Sequence, residues 1–252
     1  MKDLCLVKSC AVSKELSIPQ SFIEEVASLG IEFDAGDVDA LASYLHLLYE
    51  KNQVMNLTAV KSIEDAWERH LYDSLTLLPI LSELQCEHVI DVGSGGGLPG
   101  IPLAITLPEM TFVLVETTKK KALFLHEVVE ALELDNVTVL AERAEHLCSE
   151  DGGFRASADV VMSRAVGAMP TLLELTIPFL KEDGTFLAIK GQKAEEEVEQ
   201  ARKAAHILGC TFNNMSRTKT GTIVSYYKTK KTPKKYPRVA GEPKRLPLGR
   251  GG

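Results

Sequence analysis

The chain has 252 residues, of which 45% are hydrophobic, and a formal net charge of −7. A chain of this length buries enough surface to fold without disulfides or a metal. Its five cysteines are odd in number and scattered, with no Cys-x-x-Cys pair, which excludes a disulfide scaffold and a zinc knuckle and indicates a reducing compartment. The sequence has no apolar run of about 18 residues, so no membrane-spanning helix is predicted.

The first 82 residues are predicted to be helical. Apolar residues recur at helical spacing over residues 18–29, 37–51 and 62–81. Ser62, three residues before Asp65, provides a start that resembles a capping box for the third helix. We therefore expect a small helical N-terminal region over residues 1–82.

Between residues 83 and 228, short β-branched runs alternate with amphipathic stretches. The predicted strands cover 88–92, 112–116, 137–140, 159–163 and 185–190, and a helix is predicted after each of them. This alternation predicts an α/β fold with a doubly wound, Rossmann-like parallel sheet. Two final runs, 210–217 and 222–228, have no helix between them and predict a hairpin that gives the sheet an antiparallel last strand.

The C-terminal residues 229–252 contain four prolines and are predicted to form an extended, weakly structured arm. Residues 228–252 carry nine lysines and arginines against Glu242 alone, a net charge of +8 that leaves −15 for residues 1–227. An acidic body with a basic arm is typical of a protein that binds a polyanion, although a solubilising tail is the alternative. The phosphate-binding candidates of this end of the chain are Arg217, Arg238, Lys244 and Arg245.

A glycine-rich segment from Asp91 to Gly100 follows the first predicted strand. Glycines let the backbone approach a ligand, and the helix that follows presents unpaired N–H groups. The segment satisfies Gly-x-Gly-x-x-Gly from Gly95, and Glu116 lies 21 residues further on, as in a nicotinamide dinucleotide site. Counted from Gly93, where the strand ends, the pattern is Asp-x-Gly-x-Gly-x-Gly.

The acid before the first glycine distinguishes these two interpretations. A pyrophosphate requires N–H donors and no nearby carboxylate, whereas Asp91 suits the ammonium or sulfonium group of S-adenosylmethionine. Glu116 can bind ribose hydroxyls in either case. We therefore favour S-adenosylmethionine as the cofactor, bound by Asp91, Gly93, Gly95 and Glu116, with an NAD-linked oxidoreductase as the alternative.

The fourth predicted strand ends in Ser163-Arg164-Ala165, at the edge where open α/β sheets bind ligands. The Asn/Asp-Pro-Pro-aromatic sequence of enzymes that methylate exocyclic amines is absent there, as is the Pro-Cys pair of cytosine methylases. Arg164 can bind phosphate, the donor's carboxylate or a base edge, so it is the candidate catalytic residue, acting by positioning. An acceptor that needs no deprotonation, such as N7 of guanine, fits this absence of a general base.

Several segments also carry a family resemblance. They are Asn-Leu-Thr-Ala-Val at 56–60, Arg-His-Leu-Tyr-Asp-Ser-Leu at 69–75, the glycine segment with its Leu-Pro-Gly-Ile-Pro continuation over 90–104, Ser-Arg-Ala at 163–165, Lys-Gly-Gln at 190–192 and Tyr-Pro-Arg-Val-Ala-Gly-Glu-Pro at 236–243. In these segments the chain resembles the bacterial ribosomal RNA small subunit methyltransferase G family, once called glucose-inhibited division protein B. The resemblance extends over about residues 38–248.

The resemblance implies a class I S-adenosylmethionine methyltransferase that methylates N7 of one guanine in small-subunit (16S) ribosomal RNA. It implies donor contacts at Gly93, Leu98, Ala144, Glu145 and Arg164. The expected partner is small-subunit ribosomal RNA or the 30S particle, and we expect a cytoplasmic monomer with no membrane or metal partner. Further RNA-binding candidates near these motifs are Arg69, His70, Arg143 and Lys190. A non-catalytic RNA-binding protein that retains a donor pocket is the second alternative.

Overall fold

A computed structural model describes residues 18–249 of the chain. Its first helices are α1 (Gln20–Ala27), α2 (Asp37–Asn52) and α3 (Ile63–Ala66). The predicted cap of α3 is present, because the Ser62 hydroxyl accepts a hydrogen bond from the Asp65 N–H at 3.1 Å. The N-terminal region is therefore helical from Gln20 onwards, as the periodicity indicated, and residues 1–17 of the predicted region lie outside the described residues.

The single helix predicted over residues 62–81 is wrong in detail. After α3 the chain forms a π-helical turn at Trp67–Tyr72, then α4 (Asp73–Leu75) and α5 (Leu78–Glu83). The wider π turn changes the direction of the side chains that follow, and such turns are frequent at functional sites. Here Trp67 is buried against the ring of Phe22, with 4.9 Å between the centroids, while Arg69 lies exposed.

In the described part of the chain, seven strands form one mixed sheet in the order β3-β2-β1-β4-β5-β7-β6. They are β1 (His88–Val92), β2 (Thr111–Val115), β3 (Val137–Leu140), β4 (Ala158–Arg164), β5 (Leu180–Lys190), β6 (Cys210–Arg217) and β7 (Thr222–Lys228). β7 pairs antiparallel with both β5 and β6, and the other pairs are parallel. This confirms the doubly wound, Rossmann-like α/β sheet with an antiparallel last strand.

Helices cover both faces of the sheet and bury its apolar side chains. The remaining helices are α6 (Gly100–Thr106), α7 (Lys119–Ala131), α8 (Ala144–Leu147), α9 (Met169–Thr176), a 3₁₀ turn (Ile177–Phe179), α10 (Ala194–Leu208) and α11 (Glu242–Arg245). One core joins N-terminal residues such as Leu45 to Phe112 of the sheet, and the other joins Leu208 to Phe186. The N-terminal helices thus share a core with the sheet. No helix within residues 18–249 is long and apolar enough to cross a membrane.

The C-terminal segment packs on the sheet, so the expectation of a weakly structured arm is wrong for residues 229–249. The Arg155 guanidinium donates to the carbonyl oxygens of Thr232 and Tyr236, both at 2.7 Å. Tyr236 and Leu248 are buried in the second core, and α11 lies against α9. Apolar side chains spaced between the basic residues account for the difference, since burying them favours docking while the lysines stay in solvent.

Candidate functional site

The strand order reverses between β1 and β4, which is where open α/β sheets bind their ligands. The glycine segment leaves the carboxyl end of β1, and Arg164 ends β4 beside it. The hydroxyl of Ser163 donates to the carbonyl oxygen of Val92 at 2.7 Å and joins the two strand ends. The two predicted site motifs therefore meet at one edge.

The glycine segment is tightly packed, and a side chain would not fit at Gly93 or Gly100. Gly93 has a φ of +79°, and a Cβ there would lie 2.5 Å from Cγ2 of Val166. A Cβ on Gly100 would lie 2.3 Å from Cδ2 of Leu114. Tyr44 of α2 donates its hydroxyl to the carbonyl oxygen of Gly96 at 2.8 Å, so the N-terminal helices also hold the loop.

Glu116 follows β2 and faces the glycine segment. Its carboxylate accepts the N–H groups of Gly95 at 3.0 Å and Thr118 at 2.7 Å. Its own N–H donates to the carbonyl oxygen of Leu140, the last residue of β3, at 3.1 Å. Glu116 therefore links the carboxyl ends of three neighbouring strands, where ribose hydroxyls could reach its oxygens.

Asp91 lies beneath the same loop and is fully buried. Its Oδ2 accepts the Gly100 N–H at 3.2 Å, whereas Oδ1 has no hydrogen-bond partner within residues 18–249. Burial raises the pKa of Asp91 to about 8. A buried carboxyl with an unpaired oxygen is costly for a fold, and such an oxygen can accept a hydrogen bond or pair with a positive charge.

The other predicted donor residues lie at the same edge. Leu98 is half-buried in the loop, and Ala144 and Glu145 begin α8 directly after the chain leaves β3. Glu145 is buried, and its Oε1 accepts the backbone N–H of Gly241 from the C-terminal segment at 2.8 Å. The structure thus places all the predicted donor residues at the carboxyl ends of β1 to β4.

Arg164 is held by the N-terminal region. Its Nε lies 3.2 Å from Oδ2 of Asp73, and Nη2 donates to the carbonyl oxygen of Arg69 at 2.9 Å. Thr220, in the hairpin turn, donates its hydroxyl to the other oxygen of Asp73. Nη1 of Arg164 is buried and has no hydrogen-bond partner in the described chain, so one donor pair of the guanidinium is unsatisfied.

His70 is buried in this network. Its Nε2 lies 2.6 Å from the Thr58 hydroxyl, and Nδ1 lies 3.0 Å from the carbonyl oxygen of Arg69. Burial lowers the pKa of His70 to about 4, and the charge of Arg164 lowers it further in the same direction. Nδ1 also lies 3.2 Å from Nη2 of Arg164. Both ring nitrogens are therefore engaged whichever of them carries the proton, so the neutral His70 ring holds the π turn and has no nitrogen left for substrate.

A cavity of about 610 Å³ opens beside Arg164. The π turn, the ends of β4 and β5, the start of α10 and the hairpin turn enclose it. Its lining is mostly charged: Asp65, Glu68, Arg69, Asp73, Arg164, Lys190, Glu197 and Lys219. Asp73 and Glu197 were not predicted as site residues, although Asp73 lies inside the segment 69–75 that carries the family resemblance.

The RNA-binding candidates divide by exposure. Those with side chains in solvent are Arg69, Arg143, Arg217, Lys244 and Arg245, of which Arg217 pairs with Glu195 at 3.0 Å.

Three candidates have partners inside the protein, so their hydrogen-bonding groups are already engaged. His70 is enclosed as described, and Lys190 is buried against Glu197 at 2.7 Å. Arg238 binds Glu174 of α9 through several hydrogen bonds, the shortest at 2.6 Å. The polar groups of these three side chains bind other groups of the protein. The composition of the sequence does not distinguish such side chains from those that lie in solvent.

No group of three or more metal-ligating side chains occurs within residues 18–249. Three cysteines of this range, Cys86, Cys148 and Cys210, are buried and unpaired.

Comparison with known proteins identifies the family. The model of the family described as rRNA small subunit methyltransferase G matches residues 37–224. The chain is 44% identical over 225 residues to the ribosomal RNA small subunit methyltransferase G of Sorangium cellulosum, covering 88% of this chain and 92% of that protein. It is 37% identical to the protein of that name from Acetivibrio thermocellus, covering 93% of this chain and 98% of that protein.

Solved structures support the fold independently. A putative O-methyltransferase from Klebsiella pneumoniae is similar with a TM-score of 0.53, at 14% identity, over 83% of this chain and 96% of that one. A methyltransferase from Geobacter sulfurreducens is similar with a TM-score of 0.52, at 12% identity, over 83% and 98%.

Proposed function

Because the chain belongs to the ribosomal RNA small subunit methyltransferase G family, we propose that it transfers a methyl group from S-adenosylmethionine to N7 of a guanine in small-subunit ribosomal RNA. The main support for this proposal is that the donor site and the charged cavity meet at Arg164. The donor residues lie on one side of its strand end, and the charged cavity opens on the other. A donor and an acceptor placed there would lie side by side.

The donor site fits S-adenosylmethionine by its chemistry. The unpaired Oδ1 of Asp91 suits a cationic group, and Glu116 suits ribose hydroxyls. At Gly95 an added Cβ would meet no atom closer than 3.9 Å, so the backbone there is open to close approach. Gly93, Gly95, Leu98, Ala144, Glu145 and Arg164 complete the proposed donor-binding set. When bound, S-adenosylmethionine supplies an electrophilic methyl group on a sulfonium.

The cavity fits a guanine base as acceptor. Guanine presents N–H donors on one edge and the N7 and O6 acceptors on another, and the cavity offers both carboxylates and an arginine with an unpaired donor. N7 carries a free lone pair, so no residue needs to remove a proton. This agrees with His70, whose ring nitrogens are both engaged.

Catalysis then rests on positioning and charge. Arg164, fixed by Asp73 and the Arg69 carbonyl, orients the base for in-line attack. Methylation makes the base cationic, and the carboxylates of Asp73 and Glu197 in the cavity wall stabilise that charge.

The RNA must present its base outside a regular helix. N7 lies in the deep, narrow groove of A-form RNA, which side chains do not enter, so the target guanine sits in a loop or turns out of its stack. Exposed Arg69 at the cavity, with Lys244 and Arg245 of the C-terminal segment, contacts phosphates. We propose that the protein acts as a cytoplasmic monomer on ribosomal RNA or on the 30S particle.

The test is methyl transfer from labelled S-adenosylmethionine to 30S particles that lack the modification. Wild-type protein should saturate at about one methyl group per particle, and Arg164→Ala should lower the rate at least 100-fold, the scale of a lost positioning contact. Arg202→Ala is the matched control, since Arg202 is exposed on α10 and pairs with Glu199.

Two outcomes would contradict the proposal. Wild-type protein that binds S-adenosylhomocysteine but transfers no methyl group would indicate the non-catalytic RNA-binding alternative. Binding of NAD without S-adenosylhomocysteine would indicate the oxidoreductase.

A further inference from the structure

We infer that the C-terminal segment positions the donor site, with the ion pair between Arg238 and the buried Glu174 as the element that fixes it. Residues 236–248, here named the C-terminal clasp, contact the donor residue Glu145 through the backbone of Gly241. Arg238 is therefore a positioning residue for the donor and not an RNA contact. This inference rests on the proposed function, since it assigns a role in binding S-adenosylmethionine.

The clasp reaches Glu145 at a defined atom. The Gly241 N–H donates to Oε1 of Glu145 at 2.8 Å, and Nη1 of Arg143 lies 3.8 Å from the same oxygen. Glu145 is buried, so its carboxylate depends on these groups in place of water. Of the two, only the Gly241 N–H is within hydrogen-bonding distance, and it comes from a segment 96 residues away in the chain.

Gly241 is held in turn by Arg238. The Arg238 side chain donates from Nε to Oε1 of Glu174 at 2.8 Å and from Nη2 to Oε2 at 2.6 Å, a bidentate pair. Its backbone N–H also donates to Oε1 of Glu174 at 2.9 Å. Nη2 further donates to the carbonyl oxygen of Leu246 at 2.7 Å, which closes the clasp around the guanidinium.

The far side of the clasp is also fastened to the sheet domain. The Thr171 hydroxyl of α9 donates to the carbonyl oxygen of Pro243 at 3.1 Å, and Leu248 is buried in the second core. Glu174 is fully buried, so its charge is compensated by Arg238 and not by solvent. Loss of the guanidinium would leave a buried, unpaired carboxylate and release the turn that carries Gly241.

Release of the clasp should affect donor binding through Glu145. Glu145 begins α8 next to Ala144, and both belong to the proposed donor-binding set. With the clasp released, Glu145 loses its hydrogen-bond donor and its carboxylate no longer has one fixed direction. Donor binding should weaken, while the cavity beside Arg164 keeps its own contacts to Asp73 and Arg69.

The experiment is a double-mutant cycle on donor affinity. The dissociation constant of S-adenosylhomocysteine is measured by calorimetry for full-length wild type, Arg238→Ala, Glu145→Ala and the double variant, at a temperature where each is folded. Arg238→Ala should weaken binding about tenfold in wild type and less than twofold when Glu145 is already alanine. Its thermal midpoint should fall in both backgrounds, because the Glu174 contact is lost in each.

Kinetics separate this role from a merely structural one. Arg238→Ala should raise the KM for the donor about tenfold with little change in kcat, and Arg238→Lys should restore part of the affinity through one of the Glu174 contacts. Lys231→Ala is the matched control for donor affinity, because Lys231 belongs to the same C-terminal segment but is exposed and faces Glu182.

Equal loss of donor affinity in both backgrounds would overturn the inference, as would donor affinity unchanged by Arg238→Ala. These results differ from failure of the proposed function, in which the wild-type protein itself would not bind S-adenosylhomocysteine or would not transfer a methyl group.

Discussion

Replacing Asp91 with asparagine should stabilise the free protein at neutral pH while weakening donor binding. Asp91 is fully buried with one unpaired oxygen, and burial raises the pKa of its carboxyl from 3.8 to about 8. The folded state therefore holds a proton that the unfolded state releases between these pH values. The contribution of Asp91 to the free energy of unfolding is fully present below pH 3.8 and is lost as the pH rises towards 8.

The size of the expected stabilisation follows from the difference between the pKa of Asp91 in the unfolded and in the folded protein. Between pH 3.8 and pH 7 the raised pKa costs about 4 kcal/mol, at about 1.36 kcal/mol for each pH unit. Asparagine does not ionise, but its amide group would lack a partner at the position of Oδ1, which costs about 1–3 kcal/mol. Asp91→Asn should therefore be about 2 kcal/mol more stable than wild type at pH 7.

The assay is urea unfolding between pH 4 and pH 8, followed by the fluorescence of Trp67, the single tryptophan. The free energy of unfolding of the variant minus that of wild type should rise by about 4 kcal/mol from pH 4 to pH 7. This difference cancels other groups that titrate in both proteins. A difference that does not change with pH would refute the reasoning, because it would mean that Asp91 is ionised in the free protein.

Donor binding supplies a second measurement on the same residue. At pH 7 a pKa of about 8 leaves Asp91 mostly protonated, and a bound cation should ionise it. Calorimetry of S-adenosylmethionine binding in two buffers of different ionisation enthalpy should then show release of close to one proton. Asp91→Asn should show no such release and a weaker dissociation constant, and equal proton release by both proteins would contradict the assignment.

Three further predictions concern acid stability, packing and RNA. Burial lowers the pKa of His70 from 6.5 to about 4, so the free energy of unfolding should fall by about 3 kcal/mol as the pH drops from 6.5 to 4. Urea unfolding of His70→Gln should lack that fall. Gly100→Ala should lower the free energy of unfolding by about 2 kcal/mol, because the new Cβ would lie 2.3 Å from Leu114. At Gly191 a Cβ would meet no atom within 4 Å, so Gly191→Ala should leave the free energy of unfolding nearly unchanged. Lys244→Ala with Arg245→Ala should lower the slope of log affinity for RNA against log salt by about 1.4, and an unchanged slope would remove both from the interface.

Local patterns predicted most of the sheet. The hairpin bounds, 210–217 and 222–228, match β6 and β7 because strand alternation and a short turn are encoded within a few residues. The glycine segment was also located correctly, since its meaning depends on the strand that precedes it. The π turn at Trp67–Tyr72 was not predicted, because it depends on packing of Trp67 against Phe22, 45 positions earlier in the chain.

The role of charged residues was harder to predict. Arg238 was counted with the phosphate-binding candidates because it lies in a basic, proline-rich segment. The structure places a fully buried carboxylate, Glu174, opposite it, 64 residues away in the chain. Composition registers the positive charge of Arg238 but not the buried partner. For the same reason Lys190, which faces Glu197, was predicted as an RNA contact.

The most direct test of the account identifies the methylated nucleoside. Small-subunit particles without the modification are incubated with the protein and labelled S-adenosylmethionine, and their RNA is digested to nucleosides and separated by chromatography and mass. Label is expected in 7-methylguanosine alone, since the cavity provides positioning and charge and His70 has no nitrogen free to accept a proton. Label in a base methylated on an exocyclic amine or on carbon would contradict it, because those reactions require proton removal or covalent activation.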